Sequence, residues 1–215
     1  MKINYRVILQ DGLVLITVST LFVVALSTGF KSFKKDVDLD AIVLALNQDS
    51  KDEFNAIVAK EPGPERLNRK DEFGRTPLMM AAYANYKDLK QREEMDSKRV
   101  SWIEILASSG ADLNAVDKDG WTPLMFAAWS GMNLSVAKLV ELGASVTPAD
   151  RQGNTALSLA AFRGQVGIVK LLVEKGATKD AVTVKGKKAL DLAQDGLKQY
   201  PERASEYSQV VELLL

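Results

Sequence analysis

The side chains that most often do chemistry are missing from this chain: its 215 residues include no His and no Cys. Without imidazole or thiolate there is no ordinary proton shuttle, no usual transition-metal ligand, no thiol nucleophile and no disulfide. Carboxylates, Lys, Tyr, Ser and Thr remain. A paired-carboxylate mechanism needs two acids converging in one pocket, whereas Asp71, Asp117 and Asp150 occupy equivalent places in a recurring phrase. No glycine-rich phosphate loop is found, because every Gly has a turn or cap assignment. The expectation is a non-enzymatic protein with no metal and no cofactor.

Binding chemistry is better represented. The phrase reads Gly-Arg-Thr-Pro-Leu-Met-Met-Ala-Ala at Gly74–Ala82 and Gly-Trp-Thr-Pro-Leu-Met-Phe-Ala-Ala at Gly120–Ala128. It returns as Gly-Asn-Thr-Ala-Leu-Ser-Leu-Ala-Ala at Gly153–Ala161 and, more weakly, at Gly186–Ala193. Directly after the paired alanines stand Tyr83, Trp129 and Phe162, with Arg163 beside the last and Asp195 near the same place in the fourth copy. Directly before the Thr stand Arg75, Trp121 and Asn154, and two residues further back stand Phe73, Asp119 and Gln152. Aromatic and Arg side chains bury large areas at low entropic cost, which is the composition of interface hot spots. Each aromatic after the alanines can equally shield a neighbouring repeat. Trp121, in a turn with little core to enter, is expected to form an exposed apolar patch with Trp129.

The elements that would position these side chains follow from the same phrase. Thr76, Thr122 and Thr155 suit helix N-caps, and Pro77 and Pro123 suit the first helical position. Gly131 and Gly164 end the first helix of each unit, with Asn85 in the matching place of the first. Second helices follow as the apolar runs Trp102–Leu106, Val136–Val140 and Ile168–Val173. The spacing from Thr122 to Thr155, and again to Lys188, is 33 residues. Such a period means stacked units, none of which can cover its own apolar face. Thr76 to Thr122 spans 46 residues, and the excess falls in the charged segment 86–100, which either extends a helix or forms a loop. A solvated loop is preferred to the alternative, a second partner contact that closes one side of the binding surface.

These residues resemble the ankyrin-repeat family, whose signature is Thr-Pro-Leu-His, then Ala-Ala, then Gly-Ala-Asp. The later phrase is present as Gly-Ala-Asp at Gly110, Gly-Ala-Ser at Gly143 and Gly-Ala-Thr at Gly176. The resemblance implies an all-α solenoid with short β-hairpin turns, of about four repeats: 67–112 with the insertion 86–100, 113–145, 146–178 and 179–215. A helical cap over 37–66, from Leu39–Leu46 and Phe54–Val58, precedes them. It also implies that Asp71, Asp117 and Asp150 tie down hairpins, and that the positions around Thr and after Ala-Ala face a concave, partner-binding groove. The candidate binding residues are Trp121, Trp129, Tyr83, Phe162, Phe73, Arg75, Asp119 and Arg163. One departure is that the family's His is Met79, Met125, Ser158 and Asp191 here. Because that His bonds neighbouring turns, these turns are expected to lean more on packing.

With 28 basic and 28 acidic residues, a general electrostatic grip on nucleic acid is not expected. Gly12–Phe30 is uncharged, follows Lys2 and Arg6, and ends in the small residues of Ala25-Leu26-Ser27. Residues 1–27 therefore read as a secretory signal peptide or, alternatively, a membrane anchor, with 28–36 as linker. Lys31, Lys34 and Lys35 work against export. The leading expectation is a periplasmic, bacterial, non-enzymatic protein that binds one envelope protein, for instance as an inhibitor or immunity protein for a cell-wall hydrolase. The alternatives are an accessory scaffold for envelope oxidative-stress enzymes, which resembles some small periplasmic members of the family, and a membrane-tethered cytoplasmic adaptor.

Overall fold

The computed structural model describes residues 7–9, 12–14, 50, 52–53, 55–56, 64–84 and 88–215. The linker, the first cap helix expected over Leu39–Leu46, most of the apolar run to Phe30, and Asn85 lie outside the described residues. The chain divides into a unit of residues 1–40 and a unit of residues 41–215. In the first, β1 (Val7–Leu9) pairs antiparallel with β2 (Gly12–Val14), placing Ile8 opposite Leu13. No helix among the described residues is long and apolar enough to cross a membrane.

Among the described residues of the second unit, 52–53 and 55–56 are helical and a short helix α1 (Pro64–Leu67) comes next. Four hairpin–helix–helix units follow. Their first helices are α2 (Pro77–Ala82), α4 (Pro123–Ser130), α6 (Ala156–Phe162) and α8 (Ala189–Gln199). Their second helices are α3 (Leu89–Ser108), α5 (Asn133–Glu141), α7 (Val166–Glu174) and α9 (Ala204–Leu214). First helices pack on first helices and second on second, giving two layers with the core between them. Leu78, Leu124 and Leu157 fill that core beside Ile103, Val136, Val169 and Leu172. The paired alanines Ala81/Ala82, Ala127/Ala128 and Ala160/Ala161 are fully buried, so small side chains bring successive first helices close together.

Local chemistry starts each first helix. Thr76, Thr122 and Thr155 take extended backbone and accept the N–H three residues on through their hydroxyls. The residues that stand in place of the missing His make the reverse bond within their own turn. The Thr76 N–H donates to Met79 Sδ at 3.3 Å and Thr122 N–H to Met125 Sδ at 3.5 Å. Thr155 N–H donates to Ser158 Oγ and Lys188 N–H to Asp191 Oδ2, both at 2.9 Å. Met79, Met125 and Ser158 thus close capping boxes with the Thr hydroxyls, while Asp191 makes only the reverse bond, because Lys188 has no side-chain acceptor. Each of these bonds lies within one turn. Neighbouring hairpins are joined through backbone: Lys118, Arg151 and Val184 donate to the carbonyls of Phe73, Asp119 and Gln152 at 2.8–3.0 Å.

The insertion is helix, not the solvated loop expected. α3 begins eleven residues before the position equivalent to the start of α5, adding about 16 Å at 1.5 Å per residue. Asp88 caps it, accepting from Gln91 N–H at 2.8 Å. Its charge density suggested solvation, but one acid turns inward. Asp96, only 4 % exposed, accepts from Leu134 N–H at 2.7 Å, Ser135 N–H at 2.9 Å and Ser135 hydroxyl at 2.6 Å. The N-cap of α5, Met132, supplies no side-chain bond. Asp96 from the preceding repeat takes that role, a favourable place for an anion at a helix N-terminus. Four residues earlier, Arg92 Nη1 reaches Gln165 Oε1, at the start of α7, at 3.3 Å. The inserted helix therefore ties the first repeat to the second and third.

Helix α2 ends at Ala82, with Tyr83 extended, and so stops before Asn85 instead of at it. At the other end, a 3-10 turn (Pro201–Arg203) leads into α9. A Cβ on Gly196 would lie 2.1 Å from the Phe162 carbonyl oxygen and 2.7 Å from the Tyr207 ring, so only glycine lets α8 lie this close to α6. The free carbonyls ending α6 are satisfied from this segment: Tyr207 hydroxyl donates to Phe162 O at 2.7 Å, and Arg203 donates to Arg163 O and Gly164 O at 2.8 and 3.1 Å.

Candidate partner-binding site

The three in-phase acids hold turns. Asp71 Oδ1 accepts from the N–H groups of Phe73 and Arg75, Asp117 Oδ1 from Asp119 and Trp121, and Asp150 Oδ1 from Gln152 and Asn154, all at 2.8–2.9 Å. In the fourth hairpin the Thr183 hydroxyl does the same for Lys187 N–H at 3.1 Å. Burial pushes the Asp71 carboxyl up, but the Arg75 N–H, the Arg75 guanidinium and the Phe73 N–H outweigh it and hold the pKa below the ordinary value.

The aromatic residues assemble into one connected row across three repeats. Tyr83 meets Phe126 edge-on with ring centres 6.1 Å apart, and Phe126 lies 5.1 Å from Trp121. Trp121 meets Trp129 edge-on at 5.9 Å, and Trp129 stacks on Phe162 at 6.0 Å with the planes 6° apart. Helix α4 supplies Phe126 and Trp129 one turn apart, its hairpin supplies Trp121, and the ends of α2 and α6 supply Tyr83 and Phe162. Arg163 completes the row: its guanidinium lies 4.9 Å from the Trp129 ring centre and 5.8 Å from that of Tyr200, and Nη1 donates to the Tyr200 hydroxyl at 3.4 Å.

Tyr83 is 43 % exposed, while Trp121, Phe126, Trp129 and Phe162 are half-buried. Trp121 is thus less free than expected, because Phe126 gives its ring something to lie against. The edges of the row still face solvent, in contrast to the fully buried Trp102. Phe126 and Tyr200 are members that the sequence reading missed. Phe126 occupies the place of Met80 and Leu159, an apolar position that signals core. Tyr200 falls in the irregular end of the last repeat, where alignment to the other copies fails.

The remaining candidates stand apart from the chain of ring contacts. Phe73, 55 % exposed, stacks under the Arg75 guanidinium at 4.6 Å, and Arg75 is in turn ion-paired to Asp71 at 2.8 Å. Asp119 lies exposed at its hairpin tip and gives its carbonyl to Arg151 N–H. In the fourth repeat the places of Trp121 and Trp129 hold Lys187 and Asp195, which form an ion pair joined by Lys198. The Lys187 bond, more than any other contact, lowers the Asp195 pKa. The row therefore ends in charge.

The sequence pattern of the family described as Ankyrin repeats (3 copies) matches residues 39–150 and again residues 95–183. The chain belongs to the ankyrin-repeat family. A comparison with curated proteins returns no match. The ankyrin assignment accords with the two-layer, all-α stack and makes the chain a protein–protein interaction module. Within such a stack, the first helices and hairpins carry the row from Tyr83 to Arg163. The residues that vary between ankyrin copies, and not the Thr, Leu and Ala shared by them, supply its chemistry.

Proposed function

We propose that this ankyrin protein is a non-enzymatic binding protein of the bacterial envelope, which holds one partner protein against the face carrying Tyr83, Trp121, Trp129 and Phe162. The observation that carries the reading is the continuity of the ring contacts from repeat to repeat. A connected aromatic surface offers a partner large contact area on side chains already held in place, which reduces the ordering cost of binding. Export rests on the uncharged run Gly12–Phe30 behind Lys2 and Arg6. In the envelope, a rigid face of this kind would suit the inhibition of a cell-wall hydrolase, which a cell exporting such enzymes must restrain.

Capture from an envelope extract tests the binding face directly. Wild type should retain one protein in stoichiometric amount, and the pair Trp121→Ala with Trp129→Ala should lose it while keeping its helical circular dichroism. Equal capture by both would remove the row from the site. The captured protein is then assayed for wall hydrolysis with and without this chain. Fusion of a reporter active only outside the cytoplasm tests the compartment, and a silent fusion would return the protein to the cytoplasm.

A further inference from the structure

We propose that the partner segment carries an Asp or Glu carboxylate set among apolar residues, with the carboxylate on Arg163 and the apolar side chains on Trp129 and Phe162. The inference rests on reading the aromatic row as the binding face. Its starting point is charge balance around that face. Arg75 is neutralised by Asp71, Lys187 and Lys198 by Asp195, Lys188 by Asp180, and Arg203 by Glu206. Arg163, among the described residues, has no carboxylate within ion-pair distance.

The guanidinium is nevertheless confined. It lies between the Trp129 and Tyr200 rings, its Nε is buried without an acceptor, and Nη1 makes one long bond to the Tyr200 hydroxyl. The residue as a whole is only partly buried, and among the described residues this is the one hydrogen bond its side chain makes. Such a cation has already given up part of its hydration and its rotamer freedom. An incoming carboxylate therefore gains a charge-assisted hydrogen bond with little further ordering cost. The parallel rings of Trp129 and Phe162 stand beside it, so the same segment that delivers the carboxylate meets an apolar platform. A single monovalent anion fits better than a phosphate. Phosphate sites gather several free cations, whereas the neighbouring Arg203 is already engaged by Glu206 and by the Arg163 and Gly164 carbonyls.

The test selects 12-residue random peptides displayed on phage against the full-length chain, then titrates synthetic copies of the winners by Trp fluorescence. The expected winners carry an Asp or Glu flanked by apolar residues. Arg163→Gln should weaken them about tenfold or more, as should replacing the peptide's acid by its amide. Combining both changes should cost little beyond either alone, the mark of a direct pair. Arg163→Lys should recover part of the loss, and melting curves confirm that each variant is folded. Winners without an acid, additive effects, or a failure to select any peptide overturn the proposal. So does concentration-dependent dimerisation abolished by Trp129→Ala, which would make a second copy the occupant. Peptides that lose affinity with Trp129→Ala but ignore Arg163→Gln would leave the row as a binding face and remove only the acid. Indifference to both substitutions would remove the row as well.

Discussion

Tyr207 shows how much one side chain can settle in a repeat stack. Fully buried, it places its ring against Gly164 and Gly196 and donates its hydroxyl to the carbonyl of Phe162, the residue that ends the aromatic row. Burial raises its pKa above the ordinary value, because the phenolate would have to sit in a poorly solvated place. A raised pKa favours the neutral form in the folded state. The stabilisation is therefore complete below the unfolded pKa of about 10 and is lost as pH rises through the folded value. Tyr207→Phe should cost about 1 kcal/mol at neutral pH for the lost hydrogen bond. Urea denaturation should show the gap between wild type and variant narrowing above about pH 10. A constant gap would mean that the phenol titrates alike in the folded and unfolded states, and no gap at neutral pH would assign the hydroxyl no role. Arg163 belongs to the same scale, since its carbonyl is held by Arg203 while its side chain serves the exposed row.

Among the elements, α3 departs furthest from the repeat plan. Its second half is an ordinary outer helix with Trp102, Ile103 and Leu106 in the core, and its first half is the inserted segment. The segment earns its helical form by contact with the next two repeats, through Asp96 at α5 and Arg92 at α7. Asp96→Ala should destabilise the fold by roughly 2 kcal/mol, because two N–H groups and a hydroxyl lose their buried acceptor. Asp96→Asn, which can still cap, should cost less. Hydrogen exchange at Leu134 and Ser135 should quicken in the alanine variant well before exchange in α6 and α7 changes. Uniform acceleration across all repeats would mean that the contact serves the whole stack and not this joint. Such a bond spans 38 residues and has no local sequence mark, which explains why the segment read as a solvated loop.

The whole molecule is unusual in having nothing to titrate through imidazole, since the chain has no His. Four of the described carboxylates lie lower. Asp71 and Asp195 have depressed pKa values, as do Asp180, beside Lys188, and Glu206, beside Ser205 and Arg203. A depressed folded pKa contributes stability that is present above the unfolded value and is lost as pH falls through the folded one. Chemical denaturation should therefore give a nearly constant midpoint from about pH 5.5 to about pH 8.5, followed by a fall below about pH 4. A step near pH 6.5 would require some other group to be strongly perturbed. Partner binding should share the flat region, because this chain brings no imidazole to the contact.

The repeat length, the helix starts at Thr76, Thr122 and Thr155, the turn-holding Asp positions and the aromatics after Ala-Ala were all legible in the sequence. Each depends on residues a few positions apart, where local backbone geometry leaves few choices. Tertiary structure decided the rest. It placed Phe126 and Tyr200 in the row and folded the inserted charges into a helix around Asp96. Those outcomes turn on which repeats touch, and contact between units distant along the chain follows from packing and desolvation that no local pattern encodes.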